Sequence, residues 1–183
     1  MQMRMPTLYT TRFASPIGEL TIASSDQGLV YLALPRANGR GFAGWCTRYA
    51  DDAKVIEEQA GDPGRNRQAC DEIEEFLAGG REVFGLPLDL RATDFQLEVY
   101  RAVAEIPYGE CLSYGDVARR LERPSAMRAV GAANGANPIP LVIPCHRVVA
   151  SSGQLHGYAG GLKLKRTLLT MEAAARPAQG AMF

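Results

Sequence analysis

Histidine is scarce in this chain, and its cysteines follow no pattern. The 183 residues contain two histidines, His146 and His156, and four cysteines, Cys46, Cys70, Cys111 and Cys145. No two cysteines form a C-x-x-C pair, so the spacing suggests neither a disulfide framework nor a structural zinc cage. Reduced thiols are left free to react. No apolar run reaches the length of a membrane-spanning helix, and the opening MQMRMPTLYTTRF lacks the apolar stretch of a secretory signal. The expectation is a soluble cytoplasmic protein (nuclear in a eukaryote) with no membrane partner. What is present is ordinary globular composition, 46% hydrophobic, at a length that suits one large domain or two small ones.

Net charge is also missing, with 20 basic against 20 acidic residues, but the balance hides an asymmetry. Residues 1–90 hold 9 Lys+Arg and 13 Asp+Glu, a net of −4; residues 91–183 hold 11 and 7, a net of +4. Halves of opposite sign are weak support for two domains, the second facing an anionic partner such as nucleic acid.

The first third reads as strands. TLYTTRFA, ELTIASS and LVYLAL are separated by the turns SPIG and DQG, which predicts an antiparallel meander. GFAGWCTRYA reads as a short helix. RQACDEIEEFLAGG reads as a clearer one, with Ile73, Phe76 and Leu77 on one face and Gly79 and Gly80 as a stop. EVFGLPLDL looks extended. This small α+β unit spans 1–90.

From Arg91 the pattern is helical, over 91–175. Thr93 and Gln96 form one capping box before Phe95, Val99 and Val103, and Ser113 and Asp116 form a second before Val117 and Leu121. Pro124 and Ser125 then start SAMRAVGAANGA. Helix, short turn and helix, with Arg119, Arg120, Arg123 and Arg128 near the turn, fit a helix-turn-helix and equally an αα-hairpin. The end of the chain, AAARPAQGAMF, reads as frayed, with 176–183 as a flexible tail.

The chemistry concentrates in VIPCHRVVASSG, residues 142–153. Cys145 there is a structural thiol, a metal ligand or a nucleophile. Pro144 disrupts regular strand pairing, His146 is a potential base, and Arg147 adds positive charge that favours thiolate. Yet neighbours on a strand point to opposite faces, so adjacency alone does not bring imidazole to sulfur.

Wider context narrows the choice. RAVGAANGANPIPLVIPCHRVVASSG at 128–153, GYAGGLKLKRTLL at 157–169, DFQLEVYRAVAEIPYGECLSYGDVA at 94–118 and SPIGELTIASSDQGL at 15–29 together resemble the O6-alkylguanine-DNA alkyltransferases. The resemblance implies an α+β protein with a ribonuclease-H-like N-terminal domain and a winged-helix-like C-terminal domain. It implies a suicide enzyme of direct-reversal DNA repair. A methyl or larger alkyl group would pass irreversibly from O6 of guanine to Cys145, with O4 of thymine as a second candidate donor.

Residue by residue, the resemblance makes Cys145 the acceptor, His146 its activator through a water, and Glu172 the acid behind the imidazole. The acid is usually followed by Gly; here Ala173 follows. Asn137 supports the turn around the site. Tyr114 donates to the guanine leaving group, with Lys165 assisting nearby. Val148, Tyr158, Ala159 and Gly160 line the base pocket, Ala159 standing where some members have serine. Arg128 fills the stack vacated by a flipped base. Ser125, Ala129, Gly131 and Ala132 let the helix approach the minor groove of double-stranded DNA. Arg147 is left as a local structural or DNA-facing charge.

No cofactor is implied. Some members hold zinc in the N-terminal domain, but residues 1–90 contain no histidine and only Cys46 and Cys70, so no metal is expected. The protein is expected to be a monomer, with cooperative assembly on DNA open. The competing readings are a non-enzymatic lesion-binding protein and a helix-turn-helix transcription regulator.

Overall fold

Residues 6–35, 41–58 and 64–175 are described by the structure, a computed structural model. The chain divides into two compact units, residues 1–91 and 92–183.

In the first unit, β1 (Thr7–Ser15), β2 (Gly18–Ser24) and β3 (Leu29–Ala33) form the antiparallel meander that the turn signals predict. After α1 (Gly41–Tyr49) the chain adds β4 (Lys54–Glu57), which pairs with β1 in parallel and completes the order β3-β2-β1-β4. The sequence reading missed β4, because KVIE is short and lacks apolar alternation. One face of the sheet supplies Leu8, Ala23 and Val30 to a core closed by Trp45 of α1, with Tyr31, Phe42 and Tyr49 packed around it. The rings of Phe42 and Trp45 stack at 6.1 Å.

The helix α2 (Arg67–Leu77) buries Ile73 and Phe76 and stops at Gly79, whose φ of 75° suits only the left-handed region. The expected extended EVFGLPLDL forms no strand of its own, but Leu88 bridges Leu29. Gly28 permits that approach: a Cβ there would lie 2.4 Å from the Pro87 carbonyl oxygen.

The second unit is built on α3 (Asp94–Ala104), α4 (Tyr114–Arg120), α5 (Met127–Gly135) and α6 (Gly161–Ala174). Both capping boxes form as the sequence predicts, at Thr93 with Gln96 and at Ser113 with Asp116. Val99, Val103, Val117 and Val130 are fully or almost fully buried where α3, α4 and α5 pack together. A connection ending in a 3₁₀ turn, Pro124–Ala126, joins α4 to α5 in a helix-turn-helix arrangement. Two short strands, β5 (Leu112–Ser113) and β6 (Val148–Val149), pair in parallel. Ala173 and Ala174, expected to fray, are still in α6; the proposed tail at 176–183 lies outside the described residues. Among the described residues no helix is long and apolar enough to cross a membrane.

Candidate active site

Cys145 sits at the start of a 3₁₀ turn, Cys145–Arg147, not on a strand. The chain reaches it through a tight loop. Leu141 is buried at φ 75°, an uncommon conformation for a non-glycine residue. Asn137 closes this loop from inside. Its Nδ2 donates to the Ile143 carbonyl at 2.8 Å, and its Oδ1 accepts from the Ile139 N–H at 3.0 Å. Asn134, which the sequence reading passed over, donates from Nδ2 to the Cys145 carbonyl at 3.2 Å. Asn137 and Asn134 thus hold the backbone on both sides of the thiol.

Cys145 and His146 share this 3₁₀ turn, so strand alternation does not set them on opposite faces. His146 is 0% exposed, and its Nε2 lies 2.8 Å from Oε1 of Glu172 on α6. Glu172 is equally buried. Its Oε2 also accepts from the Gly109 N–H at 3.1 Å, a contact no side-chain motif could announce. Arg147 completes the cluster, donating from Nε to Oε2 at 2.9 Å and from Nη2 to Oε1 at 3.0 Å. At 5% exposure Arg147 is turned into the protein rather than toward solvent, as the structural one of the two roles left to it requires. A guanidinium this deep stays inside because the carboxylate meets its fork.

The electrostatics follow from burial and these pairings. Burial alone would raise the Glu172 carboxyl, but His146 and then Arg147 outweigh it and hold it at about 2. Burial lowers His146 below its usual 6.5 against the pull of Glu172, with Arg147 and Lys165 adding to the lowering. Burial pushes the Cys145 thiol up to about 11, opposed by the Asn137 amide, Lys165 and the backbone N–H groups of Cys145 and His146. At neutral pH the resting sulfur therefore keeps its proton. The Arg147 charge acts on Glu172, which it helps to hold down, and on His146, which it lowers.

Lys165 is fully buried in α6, on the same stripe as Leu168, Leu169 and Glu172. Its Nζ donates to the carbonyls of Val148 at 2.7 Å and His156 at 3.0 Å, tying β6 to the segment before the predicted pocket loop. The Val148 carbonyl, expected to meet a base edge, thus already accepts one hydrogen bond. Tyr114 is the first residue of α4, half-buried, its phenol pushed up by burial and then by Cys145. The Tyr158 hydroxyl is buried without a hydrogen-bond partner, and its ring meets His146 edge-on at 6.4 Å. Ala159 and Gly160 are half-buried in the turn that leads into α6.

The α5 face divides the remaining predicted residues. Arg128, Ala129 and Ala132 are exposed at the spacing of one face of α5, and Ser125 is exposed in the 3₁₀ turn before it. Gly131 lies around the helix from them, where an added Cβ would meet the Tyr114 ring at 3.8 Å. Of the arginines near the turn, Arg119 pairs with Asp116 and Arg123 with Glu98, so the local positive charge is smaller than the sequence count. Among the described residues no group of three or more His, Cys, Asp or Glu could hold a metal ion.

Residues 94–174 match the family described as 6-O-methylguanine DNA methyltransferase, DNA binding domain. Over 170 residues the chain is 41% identical to the methylated-DNA–protein-cysteine methyltransferase of Mycolicibacterium paratuberculosis, covering 92% of this chain and 94% of that protein. It is 37% identical to the inducible enzyme of that name from Bacillus subtilis, covering 96% of each. Among solved structures, Mycobacterium tuberculosis OGT in complex with DNA is similar at a TM-score of 0.76 and 38% identity, over 93% of this chain and 96% of that one. The O6-methylguanine-DNA methyltransferase of Pyrococcus kodakaraensis is similar at a TM-score of 0.59 and 26% identity, over 90% and 98%. With identity at this level across nearly the whole of both chains, the protein belongs to the methylated-DNA–protein-cysteine methyltransferase family.

Proposed function

We propose that this protein performs direct-reversal DNA repair, moving a methyl or larger alkyl group from O6 of guanine in DNA onto its own Cys145. The observation that carries the reading is that Cys145, a buried and protonated thiol, is followed in the same 3₁₀ turn by His146, whose imidazole is held by the Glu172 carboxylate. His146 accepts the thiol proton through a water. The sulfur attacks the alkyl carbon as the bond from that carbon to O6 breaks, and Tyr114 donates to the guanine as negative charge develops on it. The products are guanine and a thioether. A thioether has no easy hydrolytic exit, so each molecule acts once. O4 of thymine is a further donor to be tested.

Asn137 holds the nucleophile's turn, Lys165 holds Val148 and the loop, and Val148, Tyr158, Ala159 and Gly160 form the base pocket. The alkylated base reaches that pocket by flipping out of a duplex, at a cost of about a few kcal/mol. Arg128 fills the gap, and Ser125, Ala129 and Ala132 let α5 approach the minor groove. This groove carries a degenerate code, which suits a protein that must act in any sequence. The strand order β3-β2-β1-β4, with only β4 parallel to β1, supports a ribonuclease-H-like first unit, and the helix-turn-helix supports a winged-helix-like second. The protein acts as a monomer in the cytoplasm.

The test is incubation with a duplex containing O6-methylguanine, followed by peptide mapping by mass spectrometry. A methyl group on Cys145 with stoichiometric loss of the lesion is expected, and Cys145→Ala should bind the lesion without repairing it. An unmodified Cys145 beside an intact lesion would sink the reading in favour of a non-enzymatic lesion-binding protein.

A further inference from the structure

We infer that Arg147 is a positioning residue of the transfer reaction: by clamping Glu172 it fixes the His146 imidazole and keeps it in the proton-accepting form. The inference rests on the proposed role of His146 as the base for Cys145.

The geometry is specific. Oε1 of Glu172 is shared between His146 Nε2 at 2.8 Å and Arg147 Nη2 at 3.0 Å. Oε2 takes Arg147 Nε at 2.9 Å and the Gly109 N–H at 3.1 Å. The carboxylate is thereby held in plane by a two-point fork, and a single direction remains for the imidazole. Arg147 is itself anchored. Its Nη1 donates to the Ile106 carbonyl at 2.7 Å, and the guanidinium carbon lies 5.5 Å from the centroid of the Tyr108 ring. One side chain therefore joins the reactive turn, the end of α3 and α6.

The charges give this clamp a chemical consequence. Facing His146 are Glu172 and Lys165 from α6, Arg147 from its own turn, and Tyr158 from the loop before α6, with Cys145 acting on Tyr158 in turn. Behind Glu172 stands Cys111, in the segment before β5. Only Glu172 favours a proton on the imidazole; Arg147 and Lys165 oppose it. With Arg147 in place, the single carboxylate is already matched by a fixed cation. Without it, the lone buried carboxylate would draw a second proton onto His146. The imidazole would then rest as a cation, unable to take the thiol proton.

The experiment uses the full chain with Arg147→Gln and Arg147→Lys. Single-turnover transfer from a methylated duplex is followed by rapid quench across the pH range. In parallel the imidazole of His146 is titrated by ¹⁵N NMR, with His156 as an internal reference. In Arg147→Gln, the His146 titration and the acid limb of the rate should both move up by about one pH unit. Arg147→Lys keeps the charge but loses the fork. Its acid limb should stay in place while the plateau rate falls about tenfold, as expected for loss of a bidentate contact. An unmoved titration in a folded Arg147→Gln, with only a lower melting temperature, would reduce Arg147 to a structural ion pair and overturn the inference. If Arg147→Gln does not fold, an acid limb shifted upward in Arg147→Lys overturns it equally. The NMR arm reads His146 without any transfer, so failure of the repair reaction itself is distinguishable.

Discussion

Glu172 on α6 and His146 in the turn after Cys145 meet at 2.8 Å with neither side chain exposed to solvent. Twenty-six residues separate them in the chain, so the contact couples the folding of α6 to the state of the nucleophile's neighbour.

That contact predicts acid sensitivity. The Glu172 carboxyl is held at about 2 in the fold against an ordinary 4.5. A depressed carboxyl contributes stability that is complete above about 4.5 and is lost as pH falls toward 2. Two and a half pH units correspond to about 3 kcal/mol as an upper figure. His146 adds in the same direction, because its folded value lies below 6.5 and protonation favours the unfolded chain as pH drops under that value. Urea midpoints measured from pH 7 to pH 2 should fall throughout this window. Glu172→Gln should be less stable at pH 7 by about 3–5 kcal/mol, because Arg147 is left buried without its partner. Its stability should also vary less between pH 4.5 and 2. A curve for Glu172→Gln parallel to that of the wild type would refute the assignment.

Much of this site was legible in the sequence, but only through a resemblance. Taken alone, IPCHRV left the thiol ambiguous because strand alternation was the available geometry; a 3₁₀ turn replaced it. The helix signals were local and carried through: Thr93 with Gln96 and Ser113 with Asp116 cap where their spacing says they should. Lys165 and Glu172 carried a signal that went unused. They share a helical stripe with Leu168 and Leu169, and a charged residue on an apolar stripe implies a buried partner. Other features had no sequence signature. The Gly109 N–H on Glu172, the positive φ of Leu141 and the parallel pairing of β4 with β1 depend on contacts between distant segments.

Asn137 offers a second prediction, because its amide serves both the loop and the sulfur. It accepts from Ile139, donates to Ile143, and opposes the burial that pushes the Cys145 thiol up. Asn137→Ala should therefore raise the thiol further and leave the N–H of the buried Ile139 without its acceptor, at a cost of about 1–3 kcal/mol. Haloacetamide labelling followed by mass spectrometry checks the first effect. Cys145 should react more slowly in the variant at each pH, while Cys46, in the other unit, keeps its rate. Faster labelling of Cys145 would mean that the amide screens the sulfur instead of supporting its charge.

The last prediction separates recognition from chemistry on α5. Arg128, Ala129 and Ala132 share an exposed face, whereas Gly131 backs onto Tyr114. An exposed alanine in a helix tolerates leucine at little cost in stability, since propensities there differ by only a few tenths of a kcal/mol. Ala132→Leu should accordingly keep the melting temperature and the reaction with a free alkylated base, yet weaken duplex binding by placing bulk where the backbone must come close to DNA. Arg128→Ala should lower repair in duplex more than transfer from the free base, because only the duplex requires the vacated stack to be filled. Binding titrations at fixed salt, paired with single-turnover rates on both substrates, read the two effects separately. Equal losses on duplex and free base for Arg128→Ala would remove it from base flipping, and unchanged duplex affinity in Ala132→Leu would move the DNA interface off this face of α5.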